Sequence, residues 1–224
     1  MKLITVLLAE DHRIVREGFR SLLAHERDIE VVGEAENGRQ AVQLTRKLRP
    51  AVVVMDIAMP LLNGLEATRQ IRKNSPDTKV LILSAHSDDA YVEQMAALGA
   101  AGFLLKQTSS HALATAIREV QKGNTFFTPS IAKRTRDRGQ KSADRGGNFK
   151  KKNKLSSREV EVLQLIAEGK PNKQVAAELG VSFKTVDKHR QHLMSKLDIH
   201  DIAGLTRYAM AEGIIESNVR VTIT

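Results

Sequence analysis

The chain has 224 residues, a formal net charge of +9 and no cysteine. That length accommodates one large domain or two small ones, and the missing thiols exclude a disulfide framework, a thiolate zinc site and a cysteine nucleophile. No run approaches 18 consecutive apolar residues, so no membrane span or membrane partner is expected, and the opening MKLITVLLAEDH lacks a signal-peptide cleavage pattern, which makes the cytoplasm the expected location.

The elements of the first part alternate. Strands are predicted over about 3–9, 29–35, 51–56, 79–84 and 101–105, and helices over about 13–25, 38–48, 64–74, 88–98 and 109–122. Runs such as VVVM and VLIL are apolar at consecutive positions, the pattern of strands buried on both faces. Asn37-Gly38, Asn63-Gly64 and Gly99 punctuate the pattern as turns or helix ends. Right-handed crossovers then give a doubly wound, five-stranded parallel sheet in an α/β domain over residues 1–122.

Each apolar run of that sheet, apart from the second, closes on a polar residue: Glu10 and Asp11, Asp56, Ser84, and Lys106. The carboxyl ends of such strands form the ligand crevice, so three carboxylates, a hydroxyl and an amine are expected to meet there. Carboxylates in this number suit Mg2+ or Mn2+ together with a phosphoryl group. With a cation present Asp56 stays ionised and is a nucleophile toward phosphorus; once phosphorylated, its oxygens have the cation, Ser84 and Lys106 as partners. His12 and His86 flank the crevice and are read as loop histidines rather than ligands, and Tyr91 either rims the switch surface or packs half-buried in its helix.

AEDH, VMDIAMPLLNG, LSAH and GFLLK, in this order and spacing, resemble the receiver domain of bacterial response regulators over residues 3–122. The resemblance implies that Asp56 accepts a phosphoryl group from a sensor histidine kinase. It makes Glu10 and Asp11 metal-binding acids, with the main-chain carbonyl of Ala58 completing the protein ligands. It makes Ser84 the switch hydroxyl, Phe103 the switch aromatic and Lys106 the phosphate-contacting lysine. Phe103 lacks the polar tip of the tyrosine or histidine often found there, so any signal passes by packing. Gln107 follows Lys106 where many receivers have proline, and a cis bond here would cost roughly 2.5–4 kcal/mol.

Charge then changes abruptly. Residues 1–122 carry 16 Lys+Arg against 15 Asp+Glu, residues 123–154 carry 10 against 2, and residues 155–224 carry 9 against 9. The glycine-containing basic stretch predicts a linker over 123–152, with Thr128-Pro129 opening a short helix near 129–138. A flexible chain over 129–154 would hold its ends about 25–30 Å apart. The linker is either a solvated spacer or a non-specific DNA contact.

From Leu155 the pattern is helical. Ser156 with Glu159 makes a capping box for a helix to about Glu168, stopped by Gly169. Asn172 is expected to cap a short helix ending at Leu179, Gly180 to turn, and Ser182 to cap a longer helix to Leu197. A fourth helix is predicted from about Ile202 to Glu212. The short helix, turn and longer helix make a helix-turn-helix, whose second helix enters the major groove. Val186, Leu193 and Leu197 share the core face of that helix. Lys184, Asp187, Lys188 and Gln191 are left as candidates for base edges, and Thr185, Arg190 and Lys196 for phosphates.

The string LSSREVEVLQLIAEGKPNKQVAAELGVSFKTVDKHRQHLMSKL resembles the LuxR-type DNA-binding domain, here 153–224 with the match over about 153–218. With the receiver it is identified as a member of the NarL/FixJ class of response regulators. The family implies a dimer seam of Ile202, Leu205 and Ala209, a stripe that is equally compatible with intradomain core. It also implies homodimerisation on phosphorylation, double-stranded DNA with paired promoter half-sites, and RNA polymerase as a further partner. The expected function is a two-component transcription factor, not an enzyme, although the receiver would catalyse its own phosphorylation and dephosphorylation. The alternatives are a phosphorylation-independent DNA-binding regulator and a magnesium-dependent phosphatase or phosphotransferase.

Overall fold

The computed structural model describes residues 3–85, 98–107, 110–127 and 155–215. The chain divides into two compact units, Met1–Phe149 and Lys150–Thr224. The helix expected over 88–98, apart from its last residue, the short helix near 129–138 and the basic stretch around it lie outside the described residues.

The first unit is a parallel sheet of β1 (Ile4–Ala9), β2 (Ile29–Ala35), β3 (Val52–Asp56), β4 (Lys79–Ser84), β5 (Gly102–Leu105) and β6 (Phe126–Phe127), in spatial order β2-β1-β3-β4-β5-β6. The expected α/β class and parallel sheet are present, but the sheet has six strands rather than five. Phe126 and Phe127 pair with Gly102 and Phe103, so the chain rejoins the sheet after residue 122. A two-residue strand is too short to show a period of two, which is why the sequence pattern does not reveal it.

Alternating residues of the central strands feed two cores. Leu7, Val53, Met55, Ile82 and Phe103 face one side, covered by α2 (Gly38–Leu48) and α3 (Gly64–Asn74) through Ala41, Ala67 and Ile71. Val6, Leu8, Val54, Leu81 and Leu104 face the other, covered by Leu23 of α1 (Arg13–Leu23) and by Leu113, Ile117 and Val120 of α4 (Ser110–Gln121). Burial on both faces is the reason these strands read as continuous apolar runs.

The two Asn-Gly pairs are helix starts. The side chains of Asn37 and Asn63 accept from the N–H groups of Gln40 and Glu66, both at 2.9 Å, and so cap α2 and α3. The glycines are needed for close approach. The N–H of Gly64 donates to the carbonyl of Ile57 (2.7 Å), and a Cβ there would collide with the carbonyl of Asp56; Gly38 meets Leu62 in the same way (3.0 Å).

The second unit is helical: α5 (Ser157–Ala167), α6 (Asn172–Leu179), α7 (Phe183–Leu197) and α8 (Ile202–Ala211). Ser156 and Glu159 form the expected capping box, Ser182 caps α7, and Gly169 and Gly180 have positive φ at the helix ends. Asn172 is not the cap of α6; Pro171 holds that position, and the Asn172 side chain accepts from Arg190 Nη1 instead (3.2 Å). Among the described residues no helix is long and apolar enough to cross a membrane.

Candidate functional site

Four elements bring the predicted crevice residues together. Glu10 and Asp11 follow β1, Asp56 closes β3, Ser84 closes β4, and Lys106 follows β5. Ser84 sits opposite Leu105 in the ladder, and its carbonyl accepts from the N–H of Lys106 (2.8 Å). Glu10, Asp56 and Ser84 are buried. Lys106 Nζ lies 2.7 Å from Glu10 Oε2 and 3.0 Å from Asp56 Oδ2, bridging two strand ends. Asp56 Oδ1 accepts from the N–H of Ile57 (2.8 Å).

The charge of this cluster is unbalanced. Burial pushes the Asp56 carboxyl up to about 7, the neighbouring Glu10 adds to the rise, and Lys106 and the Ile57 N–H act against it. Burial opposes the charge on Lys106, but Asp56 and Glu10 outweigh it and hold the ammonium above its ordinary range. One amine therefore serves two buried carboxylates with a third beside them.

His12, expected as a loop histidine, lies against this cluster. Its Nδ1 is 3.2 Å from Glu10 Oε1 and 3.0 Å from Asp11 Oδ1, and its N–H reaches the same Glu10 oxygen (3.2 Å). Glu10, Asp11, His12 and Asp56 each offer one ligand atom, all within 4.8 Å of one another. Such an oxygen-rich set fits a hard divalent cation such as Mg2+ or Mn2+ that retains several waters. Ala58 lies two residues beyond Asp56 in the loop from β3 to α3. His86 and Tyr91 lie outside the described residues.

Phe103 is fully buried in the core beneath α2 and α3, between Ile82 and Phe127 of the neighbouring strands. It is a core residue here rather than part of a surface. The Lys106–Gln107 peptide is trans.

On α7, Val186 and Leu193 are buried and Leu197 half-buried, as the periodicity predicts. Lys184, Lys188 and Gln191 are exposed; Thr185, Asp187 and Arg190 are half-buried. Gln191 Nε2 donates to Asp187 Oδ2 (3.2 Å), so the Asp187 carboxylate has a partner one turn away. Lys196 Nζ is 2.6 Å from Glu159 Oε2, which ties the end of α7 to the cap of α5.

The predicted dimer seam is corrected in part. Ile202 is 52% exposed, but Leu205 and Ala209 are fully buried within their own unit. They are intradomain core, because α8 turns that stripe inward against α5.

Comparison with known proteins agrees with both halves. Residues 6–118 match the response regulator receiver domain, and residues 153–209 match the bacterial regulatory proteins of the luxR family. The chain is similar to the transcriptional regulatory protein DegU of Brevibacillus brevis, at 36% identity over 88% of this chain and 89% of that protein. It is similar to the response regulator protein VraR of Staphylococcus aureus, at 35% identity over 95% and 99%. Among solved structures it resembles the response regulator RcsB of Salmonella typhimurium, at 28% identity and a TM-score of 0.61 over 95% and 99% of the two chains. RcsB has also been solved as two dimers bound to two parallel DNAs. The chain belongs to the response regulators that join a receiver to a LuxR-type DNA-binding domain, and it is a two-component regulator of transcription.

Proposed function

We propose that this response regulator is switched by phosphorylation of Asp56 and acts as a DNA-bound dimer. The observation that carries the reading is the placement of Asp56: a buried carboxylate at the end of β3, 3.0 Å from Lys106 Nζ and within the same 4.8 Å cluster as Glu10, Asp11 and His12. A carboxylate oxygen of Asp56 attacks the phosphorus of a phosphohistidine on a sensor histidine kinase. The P–N bond breaks, the imidazole takes up a proton, and an acyl phosphate is left on Asp56. Lys106 supplies positive charge to the transferred oxygens and Ser84 a hydroxyl donor. Glu10, Asp11 and Asp56, with the carbonyl of Ala58, would hold Mg2+ or Mn2+, whose contribution is to neutralise the acids and the incoming phosphoryl oxygens. The same residues also serve for dephosphorylation by water.

In the second unit, the exposed face of α7 enters the major groove. Lys184, Lys188, Gln191 and Asp187 read base edges, while Thr185, Arg190 and Lys196 contact phosphates, the last two while also bonded to Asn172 and Glu159. Paired half-sites require two copies; Ile202 is the exposed member of the α8 stripe for that contact, and RcsB dimers on DNA support the arrangement. RNA polymerase is the further partner this reading implies. Asp56 phosphorylation biases the equilibrium between a monomer and this dimer by roughly 1–3 kcal/mol.

The test measures DNA affinity and oligomeric state with and without a beryllium fluoride phosphoryl mimic, in wild type and Asp56→Asn. The mimic is expected to tighten binding and dimerise the wild type only. If neither quantity responds in the wild type, the protein is a phosphorylation-independent regulator.

A further inference from the structure

We propose that Arg16, in the first turn of α1, is a positioning residue for cation binding in the acidic crevice: its guanidinium holds the main-chain carbonyl of Glu10 and thereby aims the Glu10–Asp11 pair. The proposal rests on the reading of that crevice as a divalent-cation site.

Arg16 is 6% exposed. A buried guanidinium is tolerated only with good partners, and here each of its three nitrogens donates one hydrogen bond. Nη1 donates to the carbonyl of Glu10 (2.7 Å), Nε to Glu34 Oε2 (3.1 Å) and Nη2 to Glu36 Oε1 (2.9 Å). Arg20 Nη1 reaches the other Glu34 oxygen (3.1 Å) and steadies that carboxylate from outside. The N–H of Glu10 is also fixed, by the carbonyl of Ala35 at the end of β2 (3.0 Å). Both main-chain groups of Glu10 are thus tied to the β2 edge, one directly and one through Arg16. The backbone that carries two crevice carboxylates is held at two points before any ligand arrives.

The same arrangement solves an electrostatic problem. A bare guanidinium behind a cation site would repel the cation. Glu34 and Glu36, the first shared with Arg20, match its charge, so Arg16 supplies geometry without supplying net positive charge. Groups behind the direct ligands commonly change cation affinity 10–100-fold when removed.

Charge and positioning predict opposite signs for Arg16→Met. Loss of a nearby positive charge tightens cation binding; loss of the carbonyl anchor weakens it. The experiment titrates Mn2+ into the full-length protein at pH 8, read by electron paramagnetic resonance, for wild type, Arg16→Met and Arg16→Lys. Circular dichroism and thermal unfolding confirm that each variant is folded at the titration temperature. The expected result is roughly 10–100-fold weaker binding for Arg16→Met and a smaller loss for Arg16→Lys, which keeps the charge but not the three-way fork. Unchanged or tighter binding by folded Arg16→Met overturns the proposal. If Arg16→Met does not fold, Arg16→Lys decides, and wild-type affinity in that variant overturns it. Wild type that binds no Mn2+ sinks both the cation reading and this inference, whereas wild type that binds with Arg16→Met unchanged sinks the inference alone.

Discussion

Each unit buries a glutamate against a lysine, and the two pairs are built to different ends. Glu159, 4% exposed, meets Lys196 Nζ at 2.6 Å and also accepts from the N–H and hydroxyl of Ser156 (2.8 and 2.9 Å). Burial pushes its carboxyl up, but Lys196 and Ser156 outweigh this and hold it below the usual carboxylate range. Glu10, 2% exposed, meets Lys106 Nζ at 2.7 Å, yet that lysine is shared with Asp56, and Asp11 stands alongside. The first pair is complete and acts as a staple between α5 and α7. The second carries surplus negative charge, and burial, with Glu10 adding to it, pushes the Asp56 carboxyl up to about 7. A buried ion pair with its charges matched is structure; one with charge left over is a place for a ligand.

That contrast can be broken by substitution. Glu159→Ala removes both the staple and half of the capping box, and is expected to destabilise the second unit by about 2–3 kcal/mol. Hydrogen exchange of the α5 and α7 amides reads this separately from the first unit. Asp56→Asn should do the reverse in the first unit. The folded Asp56 carboxyl titrates near 7 against an ordinary 3.8, so its contribution to stability is present below about pH 4 and is lost as pH rises through 7. In chelator-treated protein at pH 8, Asp56→Asn is therefore expected to stabilise by on the order of 2 kcal/mol, and to flatten the decline between pH 4 and 7. A destabilised Asp56→Asn at pH 8 would show that the crevice is as well matched as the staple.

Cation binding sharpens the same point, because the cation competes with the Asp56 proton. Mg2+ affinity by calorimetry should rise up to about tenfold per pH unit below about 7 and level off above it. Ser156→Ala leaves the Glu159–Lys196 pair in place and costs about 1 kcal/mol through the cap alone. Lys196→Met is expected to cost less than about 1 kcal/mol, since the lysine side chain is 41% exposed and water screens the pair.

Much of the crevice was legible because each of its residues ends an apolar run, and strand ends in a parallel sheet converge. Glu10, Asp11, Asp56, Ser84 and Lys106 are found where that rule expects them. What periodicity misses is what depends on a turn or a tertiary partner. His12 joins the acids because the β1–α1 turn folds its ring back over them, a geometry without a sequence signature. Arg16 carries no signal in the sequence, because its partners Glu34 and Glu36 reach it only through the placement of β2 and the turn after it. Leu205 and Ala209 reveal a stripe at helical spacing, but a stripe does not say whether its cover is the same chain or another. Glu159 was legible as a cap partner and not as an ion pair, since Lys196 lies 37 residues away.

The loop that follows Asp56 is stitched down by two glycines, with Gly64 pressed on Asp56 and bonded to Ile57, and Gly38 pressed on and bonded to Leu62. Mechanically that makes one bank of the crevice an abutment. If Asp56 is phosphorylated as proposed, three new oxygens and their charge would load backbone packed so closely on Gly64 that no Cβ fits between them. On the proposed reading that load would pass to the other bank, where Ser84 and Lys106 extend from neighbouring strand ends. A side chain at position 64 would let the abutment slip, so Gly64→Ala should blunt the transmitted response even where phosphoryl transfer to Asp56 still occurs. Comparing phosphoprotein yield with the gain in DNA affinity for that variant separates the two.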